Sequence, residues 1–252
     1  MSPQPKDSGS LMSRLDTFLQ LYCKWASSSL LTEQGIKLVQ YVAWILSQIS
    51  QQNQRFHKEF SPSLQNIFSD LNTVRYILRF YGLPQAMEGF RSGSWSGGKW
   101  NDKKIHKLAS IMALSMLFYH PLEHVAYAKY KMPKLMPNSI NSAKLFAWSS
   151  RFWLIYIIAD WASSVLKIRE LRQKKTLLLE TGPETESNIE EIRELEKKSM
   201  INKMQIARCA LFTLPCMSWC HEKPWLSDKI ANVLCFVESV TNFYQSIHSF
   251  SK

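Results

Sequence analysis

The sequence predicts an all-α protein: a membrane-associated bundle of amphipathic and semi-hydrophobic helices. Three observations carry that prediction. Apolar residues recur at three- and four-residue spacing along most of the chain, convincing period-two runs are missing, and only eight glycines serve 252 residues. A formal charge of +11 points to an anionic partner. Nine tryptophans, nine tyrosines and thirteen phenylalanines lie mostly within or beside long apolar helices, which favours lipid over a nucleic-acid platform.

Residues 1–10, MSPQPKDSGS, read as disordered and lack the charged-then-apolar pattern of a secretory signal. A first helix is expected over Leu11 to Lys24. Thr32 suits the N-cap of a second, in which Ile36, Val39, Ala43, Leu46 and Ile49 repeat at helical spacing. Ser61-Pro62 opens a third, which stops near Gly82-Leu83-Pro84 or continues kinked to Phe90. Residues 11–90 therefore form an N-terminal amphipathic unit. Residues 91–103 are a Gly/Ser-rich loop whose Trp95 and Trp100 either anchor at an interface or fold back on the helices.

Within the N-terminal unit, Asn72 to Gly89 holds the strongest signal. Leu71, Val74, Ile77, Leu78 and Tyr81 share one broad arc, and Asn72, Arg75 and Arg79 form a narrow stripe opposite it. Such a helix fits a lipid surface, its apolar arc in the acyl boundary and its guanidinium groups on anionic headgroups. A soluble helix packed on a core shows the same pattern.

Residues 104–179 read as membrane-embedded helices. Apolar runs over Ile105 to Tyr119 and Leu145 to Leu166 are followed by Ile206 to Trp219 and Ile230 to Ile247 nearer the C-terminus. None is a clean span: Pro121 follows just after the end of the first, Pro215 and Glu238 lie inside the last two, and Arg151 and Asp160 fall in Leu145 to Leu166. In Leu145 to Leu166, nine strongly apolar residues contribute about −4.5 kcal/mol and the two charges cost roughly 5 to 7. The sum is near zero, so this helix should not cross a bilayer alone. Arg151 and Asp160 point to opposite sides of it and need other partners. The basic run KIRELRQKK after Leu166 suits anionic lipid on the cytosolic side. Gly182-Pro183 marks a linker at 180–188, after which Ile189, Ile192 and Leu195 restart a helix and residues 189–252 carry the C-terminal apolar pair.

Five cysteines without framework spacing point to a reducing compartment. His120-Pro-Leu-Glu123-His124 matches the H-x-x-E-H pattern of inverted zinc proteases, with Glu194 or Glu196 at a workable sequence distance for a third ligand. Pro121 inside the motif, apolar flanks and a ligand in a charge-rich segment weigh against it. Cys216, Cys220 and His221 lack a second pair. The expectation is no enzyme, no cofactor and no metal.

LTEQGIKLVQYVAWIL, with Lys37, Gln40 and Tyr41, resembles the first signature helix of the peroxin-eleven family of peroxisomal membrane-elongation proteins. RYILRFYGLPQAMEGF is similar to its second, and YHPLEHVAY, NSAKLFAWSSRFWLIYIIADW and the C-terminal pair follow the family's order. The likeness runs from about Leu11 to Ser246 and is nearest the divergent third fungal (C-type) branch. It implies a peroxisomal membrane protein that inserts an amphipathic helix into the cytosolic leaflet, elongates the membrane before fission, self-associates with copies and relatives, and recruits the division machinery. Carried onto this chain, it gives Leu71, Val74, Leu78 and Tyr81 the wedge role and Arg75 and Arg79 the headgroup role. Lys37, Gln40 and Tyr41 become a self-association surface. A pore lined by Arg151 and Asp160, or a soluble basic nucleic-acid binder, are the alternatives.

Overall fold

A computed structural model describes residues 28–52, 59–181 and 186–250, together with 16, 19, 20 and 23. The described residues form seven α-helices and no strand: α1 (Ser29–Gln52), α2 (Phe60–Leu78), α3 (Gly82–Ser92), α4 (Lys103–Lys131), α5 (Ser142–Thr181), α6 (Glu186–Trp219) and α7 (Asp228–Phe250). Most of the helix expected over Leu11 to Lys24, and the Gly182-Pro183 break, lie outside them.

Consecutive long helices run antiparallel. In α1 and α2, Tyr41 meets Phe68 and Ser61 donates back to the Ser47 carbonyl. Phe118 stacks on Phe152 at 5.0 Å, while Tyr76 of α2 stacks on Tyr127 of α4 and tilts against Phe146 of α5. Helix α7 returns to lie on α1 and closes the bundle. The core gathers Tyr41, Ile157, Cys209, Phe212, Cys216 and Cys235, with Trp153 and Trp219 packed against it. Much of the helix contact is made by small polar residues, since Ser47, Ser149, Ser163, Ser164, Ser218 and Ser239 are all fully buried. Small side chains let helix backbones approach closely, as they do between helices in lipid.

Two prolines lie inside helices where the sequence suggested breaks. Helix α4 runs through Pro121 and α6 through Pro215. An interior proline costs about 3 kcal/mol or more, and packing offsets it: Pro215 is fully buried and both flanks of Pro121 hold buried residues. The third expected helix does continue past Gly82, through the tight 3-10 turn Arg79–Tyr81 into α3.

The loop tryptophans fold back on the helices. Trp95 packs against Gly89, where a Cβ would sit 2.1 Å from its Nε1, and meets Tyr156 edge-on. Trp100 Nε1 donates to the Ser96 carbonyl at 2.9 Å. Beside it, Glu170 of α5 accepts from the backbone N–H groups of Asn101 and Asp102, which fixes the loop at the start of α4.

Candidate functional site

Charges close on one another inside this bundle. Arg75 is only 6 % exposed, and it donates from Nε to Glu33 Oε1 at 2.6 Å and from Nη1 to Gln40 Oε1 at 2.7 Å. One turn on, Arg79 Nη1 donates to Glu123 Oε1 at 2.7 Å and to the Tyr119 hydroxyl at 2.8 Å. A third cluster joins α1, α6 and α7: Glu238 accepts from Lys37 and, at 2.9 Å, from Arg208 Nε. Arg208 also reaches Gln245 Oε1, which links this cluster to Gln205 and through it to Asp160.

Burial and pairing compete at each carboxyl. At Glu33 burial pushes the pKa up, but Arg75, then Arg79 and Lys37, outweigh it and hold the group below its ordinary value. At Glu238 burial is likewise outweighed by Lys37 and Arg208. At Asp160 burial wins over the Gln205 hydrogen bond, and the carboxyl is raised. Removing one partner from a buried pair costs far more than the pair contributes, because the charge left behind cannot be solvated.

The same pairings place the residues expected at the lipid surface, the self-association face and the pore. In this arrangement Arg75 and Arg79 both point inward and are paired with internal carboxylates. Lys37, Gln40 and Tyr41 are all buried within the bundle: Lys37 on Glu238 and over the Phe212 ring, Gln40 on Arg75, and Tyr41 in the core. Arg151 and Asp160 have separate partners. Arg151 is exposed over Trp148 and donates to the Cys220 carbonyl at 3.2 Å, while buried Asp160 accepts from Gln205.

With the polar stripe of α2 turned inward, its apolar arc faces out. Ile77 is 53 % and Tyr81 61 % exposed, Val74 is exposed, and Leu71 and Leu78 are half-buried at the edges of the arc. Other helices do the same. Val39, Val42, Leu46 and Ile49 mark an exposed stripe on α1, and Ile111, Leu114, Phe118 and Val125 one on α4. Ile155, Ile158, Trp161 and Val165 continue it on α5, and Ile230, Val233, Val237, Val240 and Tyr244 on α7. Each stripe repeats at three and four residues, the spacing of a single helix face. Exposed lysines and arginines stand at the ends of the α4–α5 pair: Lys103, Lys104 and Lys107 with Arg169 and Arg172 at one end, Lys131, Lys134 and Lys144 at the other. No helix among the described residues is long and apolar enough to cross a membrane.

The partners Glu33, Glu238 and Arg208 were not singled out from the sequence as site residues, and Glu123 was noted only within the H-x-x-E-H pattern. Their only signal was a charge set within an otherwise apolar helical run, as at Glu238.

The fold and site together define an all-α bundle with an ionic interior and apolar outer stripes. The chain belongs to the peroxisomal biogenesis factor 11 (PEX11) family, whose model matches residues 19–246. Its role accordingly lies in peroxisome biogenesis and proliferation. No curated protein and no solved structure matches the chain.

Proposed function

We propose that this protein acts at the peroxisomal membrane, laying the outward apolar faces of its helices into the cytosolic leaflet to elongate the membrane ahead of fission. The supporting observation is the orientation of residues 71–81, where arginines point into the bundle and Val74, Ile77 and Tyr81 point out. A contiguous exposed apolar surface of this kind marks an interaction with lipid or another apolar partner. A shallowly buried helix face expands one leaflet relative to the other, and many copies in one patch bend the bilayer. The wedge residues are Leu71, Val74, Leu78 and Tyr81; exposed lysines and arginines at the helix ends supply the attraction to anionic headgroups. Self-association, recruitment of the division machinery and a place in the C-type branch follow from the resemblance of the sequence.

The test is co-flotation of the purified full chain with vesicles of phosphatidylcholine, alone and with phosphatidylinositol. Val74→Asp with Tyr81→Asp alters only exposed side chains, so helicity should persist while vesicle binding falls by tenfold or more. Undiminished binding and tubulation by the folded variant overturns the wedge assignment.

A further inference from the structure

One cluster is not absorbed by the membrane reading. His120, Glu123 and His124 sit at i, i+3 and i+4 on α4, and one donor atom from each lies within 4.8 Å of the others. His120 Nδ1, Glu123 Oε2 and His124 Nε2 are all buried, and none has a hydrogen-bond partner. Three buried acceptor-capable atoms without a protein partner are costly unless a ligand satisfies them. From this geometry we infer that His120, Glu123 and His124 form a binding site for a divalent transition metal of the zinc class.

The surroundings fix each of the three groups in place. The second carboxylate oxygen of Glu123 is fixed by the Tyr119 hydroxyl at 2.6 Å and by Arg79 Nη1 at 2.7 Å, which leaves Oε2 as the free donor. His124 forms a hydrogen bond with the Tyr76 backbone, and Phe80 stacks on its ring at 3.8 Å between centroids. A ligating imidazole whose other nitrogen is held by a carbonyl has its lone pair oriented toward the ion. His120 fits only because residue 82 is glycine: a Cβ there would lie 2.2 Å from its Cε1.

Two imidazoles and one carboxylate suit zinc, cobalt or nickel. Magnesium and calcium require several oxygen donors, and only one is present. The nearby Arg79 guanidinium further disfavours ions that bind weakly to nitrogen. The three ligands leave a fourth coordination position for water. The sequence-level objections to the motif lose their force in the structure. Pro121 sits inside a continuous helix, and the third ligand is Glu123 itself. Glu194 and Glu196 are engaged elsewhere, with Lys198 and Lys175.

The experiment is zinc titration of the purified full chain against a chromophoric chelator, with cobalt substitution read in the visible spectrum. The expected result is one zinc per chain. Saturation at about a hundredfold above Kd should raise Tm by about 5 °C or more, reversed by EDTA. Cobalt should show a four-coordinate spectrum of nitrogen and oxygen donors. His124→Gln, at a half-buried position, should cut affinity at least tenfold while the chain stays helical. Any of three results overturns the site: less than a tenth of an equivalent bound by the unmodified chain, a thiolate-to-cobalt charge-transfer band pointing to the free cysteines, or affinity unchanged in folded His124→Gln.

Discussion

Arg75 decides between two physical pictures of the same helix, and a charge swap separates them. As an internal strut, Arg75 neutralises Glu33 and satisfies Gln40 in a largely buried place. Arg75→Ala then strands the Glu33 carboxylate, at a cost of about 3–5 kcal/mol. For a chain of this length each kcal/mol shifts Tm by about 2–4 °C, so a fall of roughly 6–20 °C is expected. The double exchange Glu33→Arg with Arg75→Glu restores opposite charges across the same gap. Gln40 can turn its amide to donate instead of accept, so at least half of the lost Tm should return. As a headgroup ligand, Arg75 would behave differently: its removal would leave Tm alone and weaken binding to anionic vesicles by about 1 kcal/mol, roughly fivefold. Circular dichroism melts of the full chain in one detergent, paired with flotation on neutral and anionic vesicles, give both readouts. A Tm within about 2 °C of the parent, with selective loss on anionic vesicles, refutes the strut.

Two other predictions use the same melts. Glu33 and Glu238 both titrate below their ordinary value of 4.5, so the stability they contribute is complete above that pH and is lost as the pH falls through their lower folded values. Tm should therefore drop steeply below about pH 4.5, and Glu33→Gln with Glu238→Gln, though less stable at neutral pH, should flatten that drop; an equally steep acid limb in the double variant would count against the pairing. Gly89→Ala places a methyl into the Trp95 indole, and overpacking of about 1–3 kcal/mol should outweigh the roughly 1 kcal/mol gained in helix propensity. Tm should fall and the near-ultraviolet dichroism of Trp95 should change, whereas a stabilised variant would mean that the indole is not seated there.

The all-α class was legible because helical periodicity is local, and the arc over residues 71–81 was legible for the same reason. Which side of that helix faces inward was not. Two arginines opposite an apolar arc have identical periodicity whether they meet water, phosphate or a buried carboxylate. Their partners are distant in sequence, Glu33 lying 42 residues before Arg75 and Glu123 lying 44 after Arg79. The inward placing of Lys37, Gln40 and Tyr41 was illegible for the same reason, because the partners lie on α2, α6 and α7. Prolines misled in the other direction: Pro121 and Pro215 carry strong local penalties that tertiary packing outweighs. Had α4 been drawn through Pro121, helix geometry alone would have put His120, Glu123 and His124 on one face.

The inward charges and outward apolar stripes make sense as one design when the surrounding solvent is considered. In water, buried ion pairs often stabilise less than apolar residues of the same shape, and exposed valines and isoleucines forgo their transfer energy. Both terms would argue against this sequence as an ordinary soluble bundle. Against lipid the outer stripes lose nothing, and apolar residues in the core would give helices little reason to prefer one another over acyl chains. Charge pairs then set the register. A slip of α1 along α7 by one turn, about 5.4 Å, would separate Lys37 from Glu238. A similar slip of α2 along α1 would break Arg75 from both Glu33 and Gln40. The proposed membrane role therefore requires the polar interior as much as the apolar exterior: one keeps the helices in place while the other takes up the leaflet.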